Sequence, residues 1–207
     1  MIRPKITRQE LDSAITKAGY MLPKEPTIVG IRGYYKDTMG KPGVNDRAIY
    51  DDAMILISPD YFETFNGNTD PSKYKPGIAS LKPGLYEYKQ GLHGMHHINM
   101  SNADDKKAYN WLISHPGEDY PDKKYSLTYW AFRQFGNVTV TRDSKAEQTD
   151  SPANRFFIDI HRGGINTTSS EGCQTIVPDQ WLSFRKTGYD LMNKTGQKII
   201  KYLLIEL

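Results

Sequence analysis

The chain has little cysteine, no long apolar run and no strong excess of charge of either sign. One thiol, Cys173, occurs in 207 residues. That excludes an internal disulfide and any zinc site built on several thiolates. Lys and Arg number 27 against 24 Asp and Glu, which leaves a net charge of +3. A dedicated nucleic-acid binder with a large cationic face is therefore not expected. No stretch approaches the roughly 20 apolar residues that cross a membrane, so no membrane span is expected. The opening MIRPKITRQELDSAITKAGY lacks the apolar core of a signal peptide, and export by the general route is not expected. Internal repeats and low-complexity tracts are also missing. Aromatic residues are plentiful: 14 Tyr help lift their share to 12%, whereas disordered chains are poor in them. The length fits one folded domain with long polar loops.

Thr7-Arg8-Gln9-Glu10 has the form of a capping box, in which Thr7 accepts from the Glu10 amide while Glu10 reaches back. Ile6 and Leu11 are placed as a hydrophobic staple, and Leu11, Ile15 and Ala18 follow at helical spacing up to Gly19. This helix and a linker, 1–26, are expected to precede a domain over 27–207. Strands are expected at 27–31, 48–58, 78–81, 85–88, 156–160 and 198–207. Segments 127–132 and 138–141 read as a hairpin around Gly136-Asn137. Residues 34–46 read as a loop, 65–77 as turn chemistry and 91–125 as an irregular excursion. Pro178 opens a second short helix as an N1 proline would. The sum is a mostly β (α+β) chain with two or three small helices.

The most informative stretch is 156–176, FFIDIHRGGINTTSSEGCQTI. The alternation Phe157-Ile158-Asp159-Ile160 leads into His161 at a strand end. A loop containing Gly163-Gly164 follows, and Ser170-Glu171-Gly172 then presents Cys173. A thiol is a useful nucleophile only as the thiolate, so it needs a basic or positive neighbour, and His161 can fold back to supply one. The Gly172 and Cys173 amides are candidate donors to an oxyanion. Taken singly, Cys173 reads as a buried thiol and His161 as a satisfied strand-end histidine. Their pairing across a glycine- and serine-rich loop is what points to chemistry.

The order His161, glycine-containing loop, Ser170-x-Gly172-Cys173 resembles the active-site motif of L,D-transpeptidase (YkuD-type) catalytic domains, in a form similar to a divergent phage and secreted-toxin branch. The resemblance implies an L,D-transpeptidase-like β-sandwich with a few short helices. It implies a cell-wall enzyme, hydrolase or transferase, that modifies peptidoglycan stem peptides through a cysteine thioester and uses no cofactor. His161 would be the base and Cys173 the nucleophile, with Gly172 beside it. Glu171 stands where the family usually has histidine, and Thr175 where it usually has arginine. Arg162, Ser170, Glu171 and His93 become the candidates for substrate binding. The expected partners are stem peptides, together with a delivery system or an immunity protein. The expected place of action is the wall or periplasm, after synthesis in the cytoplasm and phage- or secretion-type delivery.

Two rival functions remain. His93, His96 and His97 fall within five positions and invite a zinc peptidase of phage-lysin type, since neutral imidazole is a common ligand. A wall-binding or structural module without catalysis would keep the fold and leave Cys173 unreactive. Asn66-Gly67-Asn68-Thr69-Asp70 lacks the spacing of a calcium loop and reads as a turn. Trp111, Trp130 and Trp181 read as core.

Overall fold

The computed structural model describes residues 1–21, 23–34, 46–143 and 145–206. In chain order these form α1 (Arg8–Lys17), β1 (Thr27–Arg32), β2 (Asp52–Ser58), β3 (Tyr61–Asn68), β4 (Ala79–Leu81), β5 (Gly84–His93), α2 (Ala103–Ser114), β6 (Tyr129–Gln134), β7 (Thr139–Arg142), β8 (Lys145–Thr149), β9 (Ile160–Arg162), β10 (Gln174–Ile176), α3 (Pro178–Thr195) and β11 (Ile200–Glu206). The loop expected over 34–46 lies, apart from its two ends, outside the described residues. The chain is mostly β with helices added, as expected. Among the described residues no helix is long and apolar enough to cross a membrane.

The expected two-sheet sandwich is not the arrangement found. The main sheet closes into a barrel in the order β1-β11-β5-β6-β9-β10-β3-β2, and β4, β7 and β8 form a small separate sheet. Closure leaves the main sheet without unpaired edges. Two neighbouring pairs run parallel, β1 with β11 and β9 with β10; the other pairs are antiparallel.

β1 and β2 are buried along their whole length because both faces are covered. One face joins Ile28, Met54, Leu56, Phe65, Phe132, Ile160 and Tyr202 in the main core. The other carries Val29, Ile31, Ile55, Ile57 and Leu203 against Leu11 and Ile15 of α1. Strands buried on two sides read as continuous apolar runs, which is why TIVGI and MILI stand out in the sequence. Leu11 and Ile15 have no exposed surface, and burying each such side chain contributes about 1.5–3 kcal/mol. α1 is thus packed against the outer face of β1 and β2. The capping box at Thr7 and Glu10 forms as expected.

α3 crosses the main core. Phe184 stands edge-on to both Phe65 and Phe132, with ring centroids 5.1 and 5.6 Å away. A Cβ on Gly188 would come within 2.6 Å of the Phe132 ring, so only glycine lets helix and strand approach this closely. Its cost within the helix, about 1 kcal/mol against alanine, is accepted for that contact.

Several local expectations are corrected. The 127–132 and 138–141 segments do not form a hairpin: β6 pairs with β5 and β9, while β7 pairs with β4 and β8. The Asp150 carboxylate accepts from the Val138 amide at 2.7 Å and from Gln134 Nε2 at 2.6 Å, which turns the chain out of one sheet into the other. Asn66 to Asn68 belong to β3 rather than a turn, and they are buried. Gln180 of α3 pairs with Asn66, accepting from its backbone amide at 2.9 Å and donating to its Oδ1 at 2.8 Å. The 91–125 excursion contains α2, capped by the Asn102 side chain. The strand expected at 156–160 begins only at Ile160, because Phe157 has a φ of 55° and interrupts extended backbone.

Candidate active site

β9 and β10 lie side by side with Gln174 opposite Ile160, Thr175 opposite His161 and Ile176 opposite Arg162. Side chains alternate along a strand. Ile160, Gln174 and Ile176 point to the core, where the Tyr202 hydroxyl donates to Gln174 Oε1 at 2.9 Å. Asp159, His161, Cys173 and Thr175 therefore stand on the other face. β5 and β6 add His93 and Tyr129, which are cross-strand partners, and Arg133 four residues beyond Tyr129. Parallel pairing thus brings together Cys173 and His161, the two residues singled out in the sequence. Diagonal neighbours on a sheet face are roughly 7–8 Å apart.

The His161 ring is buried and its proton is placed by the backbone. Nδ1 lies 2.8 Å from the carbonyl oxygen of Arg162. A carbonyl only accepts, so Nδ1 carries the hydrogen and Nε2 is left as a lone-pair base. The Tyr129 hydroxyl adds a longer contact to Nδ1 at 3.4 Å. Burial, and then the charge of His93, push the His161 pKa down to about 4, so the ring is neutral at neutral pH. The His93 ring stacks on it with centroids 4.2 Å apart and planes inclined by 18°. His93 Nδ1 bonds Asp159 Oδ2 at 3.0 Å. Arg133 bonds the same oxygen, and the Gln134 amide donates to Oδ1 at 3.0 Å.

Cys173 is partly exposed. Its Sγ accepts from the Asp159 amide and donates to the Phe157 carbonyl, both at 3.4 Å. Burial of the sulfur and then the Asp159 carboxylate push the thiol up to about 12. The depressed, thiolate-like cysteine that the nucleophile assignment calls for is therefore not the resting state. The thiol and the imidazole are both neutral at neutral pH, and among the described residues no hydrogen bond joins the two.

The loop before Cys173 is tied down by Ser170. Its Oγ accepts from the Gly172 amide at 3.0 Å and donates to the Cys173 carbonyl at 2.6 Å. Its backbone pairs with Ser72 through Ser170 N to Ser72 Oγ at 2.6 Å and Ser72 N to Ser170 O at 2.8 Å. Two expectations change as a result. Ser170 is buried and holds the loop instead of facing substrate. The Gly172 amide is already engaged, so it is not a free oxyanion donor, whereas the Cys173 amide has no acceptor among the described residues. Gly172 itself is required: its φ is +144°, and a Cβ there would lie 2.8 Å from the Ala79 carbonyl oxygen.

A cavity of about 720 Å³ opens beside His161, lined among others by His93, Tyr129, Lys123, Arg162, Gly163 and Ile165. Arg162 lies over the Tyr129 ring at 4.9 Å and donates to Ser126 O at 3.0 Å, which holds it in the cavity wall. Glu171 is exposed and lies elsewhere, in a smaller depression with Lys75 and Arg142. His96 and His97 lie against each other with ring centroids 3.9 Å apart and planes inclined by 44°; His97 also lines the cavity, and neither has a hydrogen bond to Asp159 among the described residues. Among the described residues, no three His, Cys, Asp or Glu side chains are grouped to hold a metal. Asp159, Arg133, Tyr129 and Lys123 were not singled out in the sequence. Alternation with His161 was a signal for Asp159; nothing local pointed to the other three. Comparison of the chain with protein-family models, curated proteins and solved structures gave no match.

Proposed function

We propose that the chain is a cysteine acyltransferase of L,D-transpeptidase type acting on peptidoglycan stem peptides. The observation that carries this reading is the shared face: His161, with Nε2 bare, stands diagonal to the partly exposed Cys173 and beside a cavity. A substrate carbonyl enters next to Sγ, the thiol turns from Phe157 O, and His161 Nε2 takes its proton as sulfur attacks. The Cys173 amide donates to the oxyanion. The intermediate collapses, the amide C–N bond breaks, and His161 returns the proton to the leaving amine. Water then resolves the thioester in a carboxypeptidase or endopeptidase, and an amine does so in a transpeptidase. The same reading places the protein at the wall or periplasm as a phage- or toxin-type effector, with an immunity protein or delivery system as partner.

The test is mass spectrometry of muropeptides after incubation with purified protein. The parent should shorten or cross-link stem peptides, with a chelator making no difference, and Cys173→Ala should abolish the change by several orders of magnitude in rate. A parent rate surviving in Cys173→Ala, or lost to the chelator, favours the metal route through His93, His96 and His97. No change to peptidoglycan by the parent favours a wall-binding module.

A further inference from the structure

We infer that His93 is a positioning residue for the His161 base, anchored through Asp159 and Arg133; this rests on the acyl-transfer reading of Cys173 and His161. His93 comes from β5, far in sequence from the β9–β10 loop, yet it is held at both ends of its ring. One face stacks on His161 at 4.2 Å, and Nδ1 donates to Asp159 Oδ2 at 3.0 Å. The Asp159 carboxylate cannot follow a moving imidazole, because Arg133 and the Gln134 amide hold it too. The neighbouring strand makes room for that clamp: a Cβ on Gly91 would meet Arg133 Cγ at 2.7 Å, so glycine there lets the arginine lie flat across β5 toward Asp159. The Arg162 carbonyl fixes the His161 proton, and the His93 stack fixes the plane of the ring. Together they leave Nε2 aimed in one direction, which is what a general base needs.

The arrangement also acts on the proton affinity of His161. The charged and titratable groups around it are His93 from β5, Tyr129 and Arg133 from β6, Asp159 and Arg162 from the β9 stretch, and Cys173 from the loop. Lys123 and His97 also line the cavity. Of these, His93 lowers the His161 pKa most, after burial; Asp159 raises it and Arg133 opposes Asp159. Replacing His93 by an uncharged residue removes a lowering influence and leaves Asp159 and Arg133 in place.

The experiment is steady-state kinetics of the full chain on a tetrapeptide muropeptide, from acid to neutral pH, for the parent, His93→Phe and His93→Asn. Phe keeps a stacked ring without the bond to Asp159; Asn keeps a donor without the ring. Both should lose roughly tenfold or more in kcat with KM near the parent value, and both should move the acid limb of kcat/KM to higher pH. Circular dichroism establishes that each variant is folded. In the unmodified protein, imidazole nitrogen shifts should show Nδ1 protonated and Nε2 bare in His161. An unmoved acid limb, a loss confined to KM, or the opposite His161 tautomer overturns the inference. Activity retained in Cys173→Ala overturns the acyl-transfer reading beneath it, which is a separate outcome.

Discussion

The Cys173 sulfur lies 3.4 Å from the amide of Asp159, the residue whose own carboxylate disfavours its ionisation. Backbone and side chain of one residue thus pull the thiol in opposite directions. Burial and the carboxylate win, and the thiol is pushed up to about 12. The two groups therefore rest neutral, and on the acyl-transfer reading ionisation waits until substrate is bound and His161 accepts the proton.

Iodoacetamide alkylation of Cys173 should accordingly show a midpoint above the unperturbed value of about 8.5. Asp159→Asn removes the opposing charge and should move that midpoint down. A midpoint below 8.5 in the parent would mean that the thiolate is preformed and that the neutral-pair mechanism is wrong.

Ser170→Ala should loosen the nucleophile loop. The change leaves the buried Gly172 amide without its acceptor and the Cys173 carbonyl without its donor. An unsatisfied buried group costs about 1–3 kcal/mol. For a domain of this size, that corresponds to a fall in melting temperature of ~2–4 °C per kcal/mol. Thermal unfolding measures it, and an unchanged melting temperature would remove Ser170 from the support of the loop.

Stability should fall on the acid side because of His161. Its pKa is about 4 in the fold against 6.5 for a free ring, so the unfolded chain takes up the proton first. The contribution is complete above about 6.5 and is lost as the pH falls toward 4. Carried fully, it amounts to ~3 kcal/mol. Denaturant unfolding of the parent and of His161→Gln across that window should show the parent losing stability more steeply.

Asp51 should act with the opposite sign. Burial, and then the neighbouring Asp52, push it up to about 8, and its Oδ1 is buried without a hydrogen-bond partner. The fold favours the protonated acid, so its contribution is full below the ordinary carboxylate pKa of 3.8 and is lost as the pH rises through 8. Asp51→Asn stays neutral throughout and should be the more stable form at alkaline pH. Equal melting temperatures for the two proteins above pH 8 would show that Asp51 ionises at little cost.

Legibility in the sequence followed the range of the interaction. The Thr7–Glu10 capping box and Pro178 at the start of α3 act within one helical turn, and each was readable from its neighbours alone. The doubly buried β1 and β2 announced themselves as apolar runs. β3 did not: its Asn66-Gly67-Asn68 looks like a turn until Gln180 pairs with the Asn66 backbone amide and Oδ1, and a Cβ on Gly67 would lie 2.3 Å from Met54 Cγ. α2 stayed hidden because it buries only Ala108 and Leu112, too sparse a stripe to show a period.

The candidate site divides in the same way. The sequence by itself determined the local chemistry: His161 at a strand end, a glycine-rich loop, and a lone Cys173 behind Ser170 and Gly172. Only the tertiary structure decided how those groups are charged and aimed. Parallel pairing of β9 with β10 set Cys173 diagonal to His161, and closure of the sheet brought His93 from β5 and Arg133 from β6 onto Asp159. A proton's position and a thiol's pKa depend on burial and on charges a few ångströms away in space. Asp159 and Arg162 lie close by in the chain, but His93 and Arg133 are tens of residues away, where composition and spacing carry no record of them.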